Sequence, residues 1–299
     1  MPAQKSCFVT NTDAVNFRST ENYPSTTNII GQLYAGHECT SLDESGTWWR
    51  VKTEIENVPY EGFIHSHYLT HEMHVIGVVN GVPEAHLSHD KAHITLNGGS
   101  RAHPIGDPNR VLRDMTDQAS KVASIHDIID YLDVENSSRY SRPRHTFCNV
   151  YAHDFCYLCG VFLPRVWWNG SSLISLVNGN NVEPRYNDTV EEIMANEIFH
   201  WLRDFGPTFG WIRVFSAEDV QDAVNRGKIG VIVANTKNHG RSGHIAVAVP
   251  QTATHTPVKT EGRVTTPVMS QSGLTNKKYF SYKWWTSTKY SFFGYWIHE

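Results

Sequence analysis

Cys148 is the residue around which chemistry could be built. It lies in Thr146-Phe-Cys-Asn-Val-Tyr-Ala-His-Asp-Phe-Cys-Tyr-Leu-Cys-Gly160. This stretch opens on a hydroxyl residue able to cap a helix, then sets Val150, Tyr151, Phe155, Leu158 and Cys159 along one helical face. Cys148 is thereby placed in the first turn, where unpaired N–H groups and the positive end of the macrodipole favour a thiolate, the nucleophilic form. Gly160 ends the helix and Pro164 follows. A cysteine nucleophile also needs a base that takes its proton and later protonates the leaving group, a task suited to histidine. Of seventeen histidines, His244 stands out because it opens an apolar strand, Gly243-His-Ile-Ala-Val-Ala-Val249. An imidazole at the mouth of a buried strand, beside a glycine without side-chain bulk, suits the floor of a cleft.

Other constellations are weaker. Cys156 and Cys159 form a C-x-x-C, but at the C-terminal end of the expected helix, where the dipole raises thiol pKa; two small buried residues one turn apart are expected there. Five cysteines in a chain of 299 residues make no dense disulfide framework. Asn196-Glu-Ile-Phe-His200 carries the last four positions of the H-E-x-x-H zinc pattern, with asparagine where the first ligand must stand. His65, His67, His71 and His74 cluster without an evident carboxylate partner and read as solvated surface. No metal and no cofactor are expected. Arg142 and Arg144, flanking Pro143, read as a solvated basic turn, with contact to an acidic peptide group as the functional alternative.

The elements that must position Cys148 and His244 change character along the chain. Residues 6–72 hold short alternating segments at 7–9, 15–17, 29–33, 39–42, 48–52 and 62–64, separated by turn-rich stretches such as 11–13 and 43–46, a pattern of short strands in a small barrel. Residues 73–143 read as a linker with short apolar pieces at 75–79 and 92–96 and one helix at 124–134, capped by Ser124 with Asp127. Residues 144–299 begin with helices. Thr189 and Glu192 read as a capping box for a helix to Arg203, and Ser216 with Asp219 starts another that stops at Gly227. The period then falls to two, with strands expected at 229–234, 244–249, 267–270, 279–285 and 292–297. The fold class is α+β with an antiparallel sheet.

Composition narrows the function. A formal charge of −4 with mixed signs gives no basic footprint for nucleic acid. No apolar run reaches the roughly 18 residues of a membrane span, and the first residues lack a signal-peptide core. The expectation is that the protein stays in the cytosol, leaves by injection or phage-induced lysis, or has had its leader trimmed. The Trp pairs at 48–49, 167–168 and 284–285 suit stacking on sugar faces as well as core packing.

Two resemblances make the reading specific. Val15-Asn-Phe-Arg-Ser19, Gly31-Gln-Leu33 with Gly36, Trp48-Trp-Arg-Val51 and Gly62-Phe-Ile-His-Ser-His-Tyr-Leu69 resemble a bacterial SH3-like domain over residues 6–72. Such domains hold hydrolases to peptidoglycan; the alternative use is to pack against a catalytic domain and shape its cleft. Thr146-Phe-Cys-Asn-Val-Tyr-Ala152, Gly227-Lys-Ile-Gly-Val-Ile-Val-Ala234 and Gly243-His-Ile-Ala-Val-Ala-Val-Pro250 resemble the papain-like peptidoglycan hydrolases, the NlpC-type endopeptidases and CHAP amidases, over residues 144–299. This implies Cys148 as nucleophile, His244 as base and a polar imidazole-orienting residue on the next strand. Gln271 is the first candidate for it, followed by Ser270, His255 and Gln251. The implied activity is hydrolysis of an amide of the peptidoglycan stem peptide or sugar–peptide junction at the bacterial cell wall, with an immunity protein as partner if the protein is an injected effector. Two other readings stay open: a papain-like protease or toxin acting on protein, and a non-catalytic wall-binding protein with a structural cysteine.

Overall fold

The computed structural model describes residues 5–9, 15–33, 37–55, 58–71, 82–87, 96, 99–141, 145–236 and 242–299. The turn at 11–13, Gly36, His74, the apolar pieces at 75–79 and 92–95, and Arg142 and Arg144 lie outside them. The chain separates into two compact units, Met1–Val78 and Val79–Glu299.

Among its described residues, the regular elements of the first unit are strands and one 3-10 turn, Ser66–Tyr68. Its strands are β1 (Lys5–Val9), β2 (Val15–Arg18), β3 (Ile29–Leu33), β4 (Glu38–Asp43), β5 (Trp48–Ile55), β6 (Val58–His65) and β7 (Leu69–Thr70). They form one antiparallel sheet in the order β3-β2-β6-β5-β4-β1-β7. Alternation explains the core: Val51, Phe17, Ile64, Leu33, Cys7, Val9 and Cys39 all point inward and are buried together. Gly62 is required by close approach, since a Cβ there would stand 2.4 Å from the Arg18 carbonyl oxygen. The closed barrel expected from the strand spacing is not formed among the described residues. The sheet has two free edges, and its last strand, Leu69–Thr70, has only two residues with which to bridge to β3.

The second unit is α+β. Its elements are α1 (Gln118–Leu132), α2 (Cys148–Leu158), β8 (Val166–Trp168), α3 (Gly170–Val177), β9 (Val190–Glu192), α4 (Ala195–Asp204), β10 (Ile212–Val214), α5 (Ala217–Asn225), β11 (Ile229–Thr236), β12 (His244–Ala248), β13 (Val258–Thr260), β14 (Arg263–Thr266), β15 (Met269–Gln271), β16 (Lys277–Phe280) and β17 (Tyr290–His298). Six strands form an antiparallel sheet, β10-β17-β11-β12-β15-β16. Ile245, Val247 and Val249 face the core that holds α1, α2 and α4, while Ala246 and Ala248 face a second core with α5, Trp284 and Trp285. Both faces are covered, hence the near-continuous apolar sequence of β11 and β12. No helix of the described residues is long and apolar enough to cross a membrane.

Several elements depart from the sequence expectations for local reasons. The segment read as a linker contributes Val82, Ala85, Leu87, Ala102 and Ile105 to the main core. Helix α1 begins six residues early, capped by Asp117, whose side chain accepts from Ser120 N–H at 2.8 Å; Ser124 is instead buried within the helix, its hydroxyl donating back to the Ser120 carbonyl. Thr189 caps no helix. Its neighbours pair as β9 with β8, and α4 starts only at Ala195, where Glu197 accepts from Met194 N–H. Ser216 does cap α5, its Oγ accepting from Asp219 N–H at 3.0 Å.

Helix α2 is the axis of this unit. All its residues but Tyr157 are buried, not one face alone. Burial on every side demands partners for its polar groups. Asn149 Nδ2 donates to the Ile193 carbonyl at 2.9 Å. Asp154 accepts two bonds from Arg139, at 2.6 and 3.0 Å, and a third from the Tyr140 hydroxyl at 2.9 Å. Arg139 and Tyr140 belong to a 3-10 turn, Ser138–Tyr140, in the segment leading into α2. This fully buried ion pair therefore anchors the approach to Cys148. Replacing Asp154 by Ala would strand a buried guanidinium, and a loss of about 3–5 kcal/mol is expected in denaturant unfolding monitored through the second unit; a change under about 1 kcal/mol would contradict the anchoring role.

Candidate active site

Five chain segments converge at one end of the six-stranded sheet. Strand β11 ends at Thr236, β12 begins at His244, β15 ends at Gln271, β17 begins at Tyr290, and α2 begins at Cys148. The register makes the neighbours: Ala234 lies opposite His244, and Thr236 opposite Tyr290. Gly243 is needed for this approach, because a Cβ there would meet the Ala234 carbonyl oxygen at 2.1 Å and Asn196 Oδ1 at 2.6 Å.

His244 Nε2 lies 2.7 Å from Gln271 Oε1. The direction of this bond follows from the other end of the Gln271 amide, whose Nε2 donates to the Thr275 carbonyl at 3.2 Å. A carbonyl can accept only from the amide nitrogen, so Oε1 faces the imidazole and His244 Nε2 carries the proton. The unprotonated nitrogen is then Nδ1. Burial pushes the His244 pKa down to about 4, with the Lys289 charge adding to the shift and the bond to Gln271 opposing it. The Trp284 ring stands edge-on to the imidazole at 4.5 Å, and Tyr290 meets Trp284 at 5.6 Å.

Cys148 is the first residue of α2 and is 4% exposed. Its sulfur sits against the backbone N–H groups of Ile245, Asn149 and Cys148 itself. Ile245 is the residue after His244, so the sulfur rests against the strand that His244 opens. Thr146 is not the cap: Phe147 occupies that position and makes no side-chain cap bond. The first-turn amides are instead offered to the sulfur. They and the Arg165 charge lower the thiol pKa, yet burial outweighs them and leaves it above its ordinary value. The thiolate expected from helix position alone is thus not the resting form. At rest Cys148 is a neutral thiol and His244 a neutral imidazole.

Gln271 is held from both sides. Ser270 turns to the opposite face, where its Oγ lies 2.5 Å from the Tyr151 hydroxyl, one turn after Cys148. The loop after Gln271 is fastened to the segment before α2: Asn276 Nδ2 donates to the Val134 and Tyr140 carbonyls at 2.8 and 3.1 Å, and Ser272 Oγ to Tyr140 at 3.2 Å. Between these two segments opens a hollow of about 450 Å³ lined by Glu135, Ser141, His145, Thr146 and residues 273–276, among others.

Of the four candidates for the orienting position, only Gln271 reaches His244. Ser270 is engaged with Tyr151; His255 stacks on Tyr279 at 4.5 Å; Gln251 is exposed, its backbone N–H donating to Asn225. Asn196 and His200 do not form a metal site: Asn196 Oδ1 accepts from Thr236 N–H at 3.1 Å and His200 Nε2 lies 3.0 Å from Asn235 Nδ2. Cys156 and Cys159 are buried free thiols with pKa values pushed up. Trp167 and Trp168, one of the Trp pairs suited to stacking on sugars or to core packing, are core residues: Trp167 is enclosed by Phe162, Trp201, Phe205 and Phe209, and Trp168 donates to the Pro83 carbonyl at 2.8 Å. Trp284 and Tyr290 were not picked out individually. Their signal lay in the aromatic density of the last strands, which does not say which ring turns toward the site.

Two measurements follow from the neutral pair. Thiolate absorbance near about 240 nm, taken as wild type minus Cys148→Ala, should be absent at neutral pH and emerge only in the alkaline range; a Cys148 thiolate at pH 7 would contradict it. His244 is charged less readily in the folded than in the unfolded chain, so its contribution to stability is full above its ordinary pKa of 6.5 and drains away as pH falls toward about 4. His153 acts in the same direction, its imidazole pushed well down by burial and without a hydrogen-bond partner among the described residues. The unfolding midpoint should therefore drop between pH 6.5 and 4, and a His244→Gln variant should show a shallower drop; identical slopes would contradict the assignment.

No protein-family model matches the chain and no curated protein matches it. Among solved structures, NlpC2 from Trichomonas vaginalis is similar at 11% identity, over 99% of this chain and 72% of that one, with a TM-score of 0.23. A likeness at that TM-score carries no argument for fold or function, and the site rests on its own geometry.

Proposed function

We propose that the protein is a thiol hydrolase of peptidoglycan amide bonds, with Cys148 as nucleophile, His244 as base and Gln271 as the residue that orients it. The observation that carries the reading is the His244–Gln271 hydrogen bond at 2.7 Å, placed one residue from the amide against which the Cys148 sulfur rests. The choice of substrate rests on the sequence resemblance of residues 144–299 to papain-like wall hydrolases and of residues 6–72 to wall-binding SH3-like domains, with the antiparallel first unit as the wall-targeting module.

In this mechanism His244 Nδ1 takes the thiol proton as the sulfur attacks the amide carbonyl, because neither group is charged at rest. The oxyanion is held by the Cys148 N–H at the start of α2. The imidazolium passes its proton to the departing amine, leaving a thioester. His244 then deprotonates water, which attacks the thioester carbonyl and releases the acid and the thiol. Gln271 keeps the proton on Nε2 throughout, so that Nδ1 always faces the sulfur. The acyl portion of the substrate lies in the hollow beside Thr146 and Gly273.

Purified sacculi treated with wild type should release peptide-bearing fragments whose masses name the bond cut, and Cys148→Ala should release none. His244→Ala should lower turnover by about 10²–10⁴-fold, and Gln271→Ala by a smaller factor. Equal release by wild type and Cys148→Ala, or none by either, would overturn the reading.

A further inference from the structure

The first unit carries a pair of cysteines that the hydrolase reading does not use. Strands β1 and β4 run antiparallel with Cys7 directly opposite Cys39. Directly opposed residues in such a ladder have Cα atoms about 4.5–5.5 Å apart, inside the span of about 4.4–6.8 Å that a disulfide bridges without backbone movement. Both side chains point into the same core, both are buried, and both are free thiols in hydrogen-bonding contact with each other. The structure assigns these two residues as a dithiol site that closes into a cross-strand disulfide when the protein meets a small-molecule disulfide oxidant.

The environment distinguishes the two sulfurs. The Cys39 sulfur also meets the Thr53 hydroxyl. His71 lies near Cys7 and favours its thiolate; the His71 ring is itself held by the Ser6 carbonyl at 2.9 Å and by Glu44. Burial raises the thiols of Cys148, Cys156 and Cys159. With His71 held at the carbonyl of the preceding residue, Cys7 is assigned as the attacking sulfur. Its thiolate displaces one thiol from the oxidant to form a mixed disulfide, and Cys39 then attacks the Cys7 sulfur and expels the second thiol. The oxidant's S–S bond breaks, the Cys7–Cys39 bond forms, two electrons pass to the oxidant, and the two protein thiol protons end on the released thiols.

The bond would matter because β1 is weakly held. On its far side it pairs only with the two residues of β7. A bond from Cys7 to Cys39 fastens β1 to β4 and closes a long loop containing β2 and β3, which constrains the unfolded chain. The inference stands independently of the hydrolase reading, since nothing in it involves Cys148.

The test uses the full chain, equilibrated at neutral pH in reduced or oxidised glutathione, then denatured, alkylated and peptide-mapped. In oxidised glutathione the peptides carrying Cys7 and Cys39 should be linked, with Cys148, Cys156 and Cys159 still alkylated. The unfolding midpoint of the first unit should rise by about 10 °C, with no rise in Cys7→Ser. Cys39→Ser should trap Cys7 as its glutathione adduct, whereas Cys7→Ser should leave Cys39 a free thiol. Alkylation of both Cys7 and Cys39 in both buffers, or a link confined to Cys156 and Cys159, would overturn the proposal. A glutathione adduct on Cys39 in Cys7→Ser would overturn the assigned order of attack.

Discussion

The hydrogen bond between His244 and Gln271 is the constraint on which the site depends, because it decides which nitrogen of the imidazole is left for chemistry. Its direction is imposed from outside: the Thr275 carbonyl claims the Gln271 amide nitrogen, and so Gln271 has only its oxygen to offer. Thr275 in turn lies in a loop fastened through Asn276 and Ser272 to the carbonyls of Val134 and Tyr140. Tyr140 also holds Asp154 in the middle of α2, the helix that Cys148 begins. Helix α2, the His244 strand and the Gln271 strand are thus linked through one chain of polar contacts, and a shift in any member would be felt at the imidazole.

Burial sets the chemical character of the pair. A helix N-terminus, three amide N–H groups and the Arg165 charge all favour a Cys148 thiolate, and in an exposed site they would prevail. Here the sulfur is buried and the His244 imidazole half-buried, and desolvation drives both to their neutral forms. In the proposed reaction charge would appear only as bonds change, with the amides at the Cys148 sulfur already in place. Trp284 packs on the imidazole and Tyr290 on Trp284.

How much of this could be read from the chain depends on whether the determinant was local. The α+β class, the strands of the first unit, strands β11, β12 and β17, the cap at Ser216 and the placement of Cys148 at the start of a helix are set by short-range pattern and were legible, whereas the short strands β9, β10, β13 and β14 were not. Thr189 and Ser124 carry capping signatures, yet pairing of β9 with β8 and the earlier cap at Asp117 override them; cap chemistry alone does not choose between rival sites. Thr146 failed as a cap for a related reason, since Phe147 takes that position. The Trp167 and Trp168 rings look the same in sequence as Trp284, and only tertiary packing sends one pair to the core and the other ring to the imidazole. Gln271 was within reach because its strand follows the His244 strand, whereas the Thr275 carbonyl that orients it is a backbone group with no sequence signature.

His244 rests as a neutral imidazole with its proton on Nε2 and Nδ1 unprotonated. Nitrogen-15 NMR of histidine-labelled protein at neutral pH, with His244 assigned by its loss in His244→Gln, reads this state directly. The structure predicts a neutral ring with a protonated Nε2 and an unprotonated Nδ1, unchanged down to near pH 5. An Nδ1–H tautomer, or an imidazolium at neutral pH, would contradict it.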